Sequence, residues 1–264
     1  MDSRIEPPVS VSGPLARSAR DLESVFRVVA GAADPDSVGW RLDLPRPAWN
    51  NLTGIRVGIW TESASAPIDD EMRSAISALT ADLTNAGCHV VDIIDPPGAD
   101  AAGLELFARL QQGEISHSVG QETFDAAVDV EGDLAQRVYN AWRDAEDQRA
   151  IRDAWNERVF TEVDVVIAPA VPGAAPVYDE QPEELRALEI SGRVYPAAEA
   201  VAAWSCMANL AMLPCTVIPL KRGARSRLPL GAQIIAPYLH DLTALRFACL
   251  LESAQIVGFV APPA

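Results

Sequence analysis

The chain has 264 residues, 49% hydrophobic and 22% charged, with a formal net charge of −16. That length suits one large α/β domain or two small ones and allows roughly 70% of the unfolded surface to be buried. An acidic balance repels phosphate backbones, which argues against a general nucleic-acid role.

Residues 1–14 read as an extended arm with Pro7, Pro8 and Pro14, and the first eight have no apolar core of the secretory kind. Ser18 is placed to cap a helix, with Asp21 three residues on. Leu22, Val25, Phe26 and Val29 would form its buried stripe, and Gly31 would end it. Residues 32–52 are loop-like, with Pro35, Pro45, Pro47 and two tryptophans that suggest a segment lying flat on the surface.

Residues 55–60 read as a strand, and Pro67 is placed to open a helix running to about Asn85 with Asp69, Asp70 and Glu71 in its first turn. Its buried face is Met72, Ile76, Leu79 and Leu83; Gly87 stops it, and residues 88–94 form the next strand. Strand, helix and strand of these lengths make a βαβ unit, so the two strands should be parallel neighbours.

Residues 100–118 read as helix, residues 119–130 as a mixed connection, and residues 132–161 as a long helix. Leu134, Val138, Trp142, Trp155 and Val159 fall on one side of that helix. A strand over 163–168 leads into a proline-rich loop over 169–181, and residues 190–193 read as a hairpin turn. Pro196 is placed to start a helix to about Ala211, and residues 215–218 follow as a buried strand. Residues 200–220 are uncharged and long enough to span a bilayer, but Asn209 and Pro214 divide them into a helix followed by a strand, so they read as core. A basic turn over 221–227, holding the only lysine, Lys221, precedes a strand over 228–235. Pro237 breaks that strand, and Asp241 would cap a last helix with Leu242, Leu245, Phe247, Ala248 and Leu251 buried.

The search for chemistry returns mostly negatives. His89, His117 and His240 are far apart and no Cys/His ligand spacing occurs, so neither a metal nor a cofactor is expected. Cys88 and His89 are adjacent on a strand and point to opposite faces, so they cannot form a thiol–imidazole pair. Asp69, Asp70 and Glu71 read as a solvated helix start, and Lys221 as a solvated amine in a polar turn. The four scattered cysteines read as reduced thiols of a cytoplasmic protein.

Several stretches, in order, resemble the amidase signature family. Val9 to Gly31 is similar to the family's segment after its nucleophile region, and Val163 to Pro172 to its D-V-hydrophobic-x-P-x-x-P strand and loop. Asn209 to Pro214 (N-L-A-x-L-P) and Leu228 to Asp241 (L-P-L-G-A-Q-I-I-A-P-Y-L-x-D) resemble its C-terminal end. The resemblance implies an α/β fold with a mixed β-sheet flanked by helices, residues 1–264 forming one partial domain. It also implies hydrolysis of carboxylic amide C–N bonds.

The family's chemistry uses a Ser nucleophile, a second Ser and a Lys base, all lying before the segment matched here. No adjacent Ser-Ser and no lysine near a Ser cluster occur in this sequence, so no catalytic residue is carried over. The expectation is a C-terminal portion, inactive alone, that acts on a small-molecule amide when an N-terminal half completes it. Self-association or a partner subunit is then expected, with neither nucleic acid nor membrane as partner. By resemblance Pro169, Ala170, Val171, Pro172 and Trp204 line the acyl pocket, although Trp204 reads at least as readily as a core residue. Two alternatives stand beside this: a non-catalytic binding or assembly module, and a relative of the tRNA-dependent amidotransferase A chain.

Overall fold

The computed structural model describes residues 7–118, 134–178, 180–182 and 185–261. The expected connection over 119–130, the start of the long helix and the first six residues of the arm lie outside them. Five strands form one mixed sheet, in the order β2-β1-β3-β7-β6. β1 (Arg56–Ile59) lies parallel to β2 (His89–Asp92) and to β3 (Val165–Pro169). β7 (Gly231–Ile235) is antiparallel to both β3 and β6 (Cys215–Pro219). The parallel β1–β2 pair is the one the strand–helix–strand pattern predicts.

Six α-helices accompany this sheet among the described residues: α1 (Ala19–Val29), α2 (Asp70–Asn85), α3 (Ala101–Ser118), α4 (Leu134–Arg158), α5 (Ala197–Leu210) and α6 (Asp241–Ser253). α2 joins β1 to β2, α6 packs on β6 and β7, and α3 packs against α4 and α5. β4 (Ala187–Ile190) and β5 (Arg193–Pro196) form a separate antiparallel hairpin. Its turn has both central residues in the left-handed region, Ser191 at φ 51° and Gly192 at φ 78°. That is the backbone of a primed two-residue turn, for which a glycine is the natural second residue.

The local signals hold where a helix carries its own cap and face. The Ser18 hydroxyl accepts from the Asp21 amide at 3.0 Å. α2 buries Met72, Ile76, Leu79 and Leu83, and α6 buries its predicted stripe. α2 begins at Asp70, later than Pro67 suggested, because the Asp69 carboxylate accepts from the Met72 amide at 2.7 Å and takes the cap position. Asp241 is the first residue inside α6, and His240 precedes it as a cap without a side-chain bond.

Three expectations about burial are corrected. α1 has no buried residue, and Val29 is 63% exposed: the helix rests on α6, and nothing among the described residues covers its other side. Trp155 on α4 and Val159 just after it are buried, whereas Val138 and Trp142 (69% exposed) face outward. The C-terminal half of that helix alone meets the main core. β6 is an edge strand: Thr216 and Ile218 are buried, while Cys215, Val217 and Pro219 are exposed. A strand with a neighbour on one side only, and a helix on one face, buries alternate residues. In the loop before β1, Trp49 packs edge-on against Phe247, but Trp40 stands 71% exposed.

Candidate functional site

β1 and β3 run parallel, so the segments leaving their C-terminal ends emerge side by side, where ligands sit in open α/β sheets. These segments are residues 60–69 and 169–174. The Trp60 amide extends the ladder to the Ile167 carbonyl at 2.8 Å. Below them lies an aromatic cluster, with the Trp60 ring 5.0 Å from that of Trp204 and 6.2 Å from that of Trp155. All three tryptophans are fully buried.

Polar side chains lock the two segments to each other and to α5. The Gln233 side-chain amide donates to the Pro169 carbonyl at 2.8 Å and to the Trp204 carbonyl at 2.9 Å. Its oxygen faces the Cys215 thiol at 3.3 Å. Gln233 is 2% exposed, so each of these bonds answers a polar group that water cannot reach. The Trp204 indole N–H donates to the Pro67 carbonyl at 2.8 Å, and the Asp69 amide donates to the Pro172 carbonyl at 2.9 Å. A β-carbon at Gly173 would press on the Asp69 carboxylate, which would have to shift to make room.

The five residues assigned to the pocket by resemblance fall within this assembly. Pro169, Pro172 and Trp204 are buried, and Ala170 and Val171 are half-buried. Pro169 and Trp204 are brought together by Gln233 rather than across open space. Trp204 lies behind the backbone of Pro67, in the core. In front of Pro67 and Ile68 opens a cleft of roughly 340 Å³, closed on its other side by the β4–β5 hairpin. Its polar lining comes chiefly from Thr61, Glu62, Arg73, Ser191, Arg193 and Tyr195, and none of the five residues lines it. Gln233, Asp69 and Trp60 carry the architecture here and were not singled out from the sequence. A glutamine inside an otherwise apolar strand is the signal that could have pointed to the first of them.

No activated nucleophile stands among the described residues. No serine hydroxyl there is hydrogen-bonded to a lysine or histidine. Lys221 is 72% exposed and pairs with Asp82 at 3.4 Å. Burial pushes the Cys88 thiol up to about 11 and the Cys206 thiol up to about 12, which keeps both protonated at neutral pH. Among the described residues no cluster of His, Cys, Asp and Glu could hold a metal ion, and no helix is long and apolar enough to cross a membrane. Glu71 holds the basic turn: its carboxylate accepts from the Arg225 and Ser226 amides, and the Ser226 hydrogen bonds lower its pKa.

A mixed sheet with parallel strands at one edge, flanked by helices, defines an α/β protein. The family model described as Amidase matches residues 3–245, and the chain belongs to that family. It is 24% identical to the A subunit of the glutamyl-tRNA(Gln) amidotransferase of Synechococcus sp. (strain RCC307), over 93% of this chain and 55% of that protein. The crystal structure of the corresponding glutamyl-tRNA(Gln) amidotransferase A subunit from Thermotoga maritima matches with a TM-score of 0.64 at 20% identity. That match covers 91% of this chain and 52% of the other. A 6-aminohexanoate cyclic dimer hydrolase complexed with substrate matches with a TM-score of 0.67 at 21% identity, over 90% of this chain and 54% of the other. The chain spans about half the length of the curated relatives it matches, near 55% of each.

Proposed function

We propose that this chain is the C-terminal portion of an amidase-family hydrolase acting on carboxylic amide C–N bonds, inactive alone, with residues 1–264 acting as one partial domain. One observation carries the reading: no serine of the described residues is bonded to a base, yet the strand-end segments are bolted together as a rigid wall. An unactivated serine is a poor nucleophile, so on this reading turnover needs a Ser nucleophile, a second Ser and a Lys base supplied to the chain. Pro169, Ala170, Val171 and Pro172 then face the acyl group, and Trp204 backs them. Four free thiols, two of them buried, suit a reducing cytoplasmic setting.

Aryl and aliphatic amides assayed with the chain alone, and then with an N-terminal half from a related amidase, test the proposal. Turnover is expected only in the second case. Turnover by the chain alone, abolished by a single Ser→Ala change within it, would overturn it. A soluble monomer without activity in either case would favour a non-catalytic binding module.

The names of the curated relatives favour a second reading, in which the chain is the counterpart of part of an amidotransferase A chain. The net charge of −16 then places any nucleic-acid contact on a partner. Copurification with further subunits from the source cell, and glutamine as the amide cleaved, would separate this reading from the first.

A further inference from the structure

Arg193 and Tyr195 stand two apart on β5, so their side chains share one face of the hairpin, and both line the cleft in front of Pro67. Ile190, paired with Arg193 across the hairpin, is buried and anchors that face. Val194, on the opposite face, is 72% exposed. The Ser191 hydroxyl donates to the Ile68 carbonyl at 3.4 Å and ties the turn to the cleft floor.

The charges in this cleft do not cancel. Glu62 is an acceptor for Arg73, and the two form an ion pair. Among the described residues Arg193 has no such partner, and the hydroxyls of Thr61 and Tyr195 carry no hydrogen bond. In a chain of net charge −16, a concave site keeps one guanidinium uncompensated beside two unused hydroxyl groups. A guanidinium presents a planar fork that matches a carboxylate with two parallel hydrogen bonds. A single free cation suits a singly charged group. A phosphate dianion would bring a second charge that this one unpaired cation does not match.

We propose that this cleft binds a small carboxylate-bearing molecule, its carboxylate received by Arg193 with Tyr195 and Thr61 as further donors. The volume of roughly 340 Å³ suits a small organic acid. The site is independent of the amide-hydrolysis reading. If that reading also holds, the cleft favours amides that carry a free carboxylate.

Titration of the isotopically labelled chain by NMR at constant ionic strength tests this, with succinamate as the probe. Neutral succinamide and inorganic phosphate are the comparisons. Succinamate should bind saturably, with the largest shifts in residues 61–68 and 190–195, and both comparisons should bind at least about tenfold more weakly. Arg193→Ala should weaken succinamate at least about tenfold, and Arg193→Lys by less, since it keeps the charge and loses the fork. Arg222→Ala, in the basic turn, should leave the affinity unchanged. Shifts centred on residues 221–227, equal binding of succinamide, or an unaltered affinity in Arg193→Ala would each overturn the proposal. The spectrum of each variant reports its folding directly, and the succinamate–succinamide comparison needs no variant. Failure here leaves the complementation assay untouched, so the two readings fall separately.

Discussion

The side-chain amide of Gln233 donates to the carbonyl oxygen of Pro169 at 2.8 Å, from the middle of β7 to the last residue of β3. Its second proton reaches the Trp204 carbonyl at 2.9 Å, so one buried residue ties the end of β3 to the middle of α5. Gln233→Leu keeps the volume and removes both donors. The Pro169 carbonyl then loses its side-chain donor, and an unsatisfied buried carbonyl costs about 1–3 kcal/mol, so a loss of about 1–3 kcal/mol is expected. Urea unfolding with an unchanged m-value measures it; a change under about 0.5 kcal/mol would mean that water reaches these carbonyls.

Trp204 supports the cleft floor through its bond to the Pro67 carbonyl at 2.8 Å. Trp204→Phe should cost about 1–3 kcal/mol, combining the lost hydrogen bond with a smaller ring. NMR shifts in this variant should centre on residues 60–68. Shifts confined to α5 would show that the indole does not hold the floor.

Two carboxylates clamp loops to helices. Glu114 on α3 accepts from the Val9 amide at 2.6 Å and the Ser10 amide at 2.9 Å, and from the Ser10 hydroxyl. Burial pushes its pKa up, but these bonds outweigh burial and hold it below the ordinary 4.5. Glu71 is lowered chiefly by its bonds from Ser226. A depressed folded pKa gives stability that is complete above the unfolded value and lost as pH falls through the folded one. Stability should therefore decline below about pH 4.5, and Glu114→Gln should make that decline shallower. Unfolding free energies across this range, in both proteins, check the slope.

Cys88 and Cys206 should resist thiol reagents at pH 8 in the folded chain. Both are buried, with pKa values pushed up to about 11 and about 12, and the Cys88 thiol faces the Leu52 carbonyl at 3.3 Å. Mass spectrometry after brief iodoacetamide treatment should show both unmodified until urea unfolds the chain.

The outer face of α1 bears Val25, Val28 and Val29, all exposed, with Leu15 just before the helix at 99% exposure. Adjacent exposed apolar groups promote association. The double change Val28→Glu and Val29→Glu should lower the sedimentation-derived mass of the purified chain and leave stability within about 0.5 kcal/mol, as for surface sites. An unaltered mass would place the association elsewhere.

Whatever is written in local pattern was legible. The Ser18 cap, the stripes of α2 and α6, the primed turn at Ser191-Gly192 and the parallel β1–β2 pair follow from spacing, caps and turn residues within a few positions of one another. The family, too, could be recognised from short stretches in order. What only the tertiary structure decided is which faces find a cover. α1 has the periodicity of a buried helix, yet it rests on α6 and leaves Val25, Val28 and Val29 exposed. β6 has a core strand's composition, yet it stands at the sheet edge. Gln233 gains its role from carbonyls 29 and 64 residues away, and Arg193 its setting from a segment far earlier in the chain. Periodicity reports that a side chain is apolar on one face; only long-range packing supplies the neighbour that removes that face from water or leaves a charge unpaired beside a cleft.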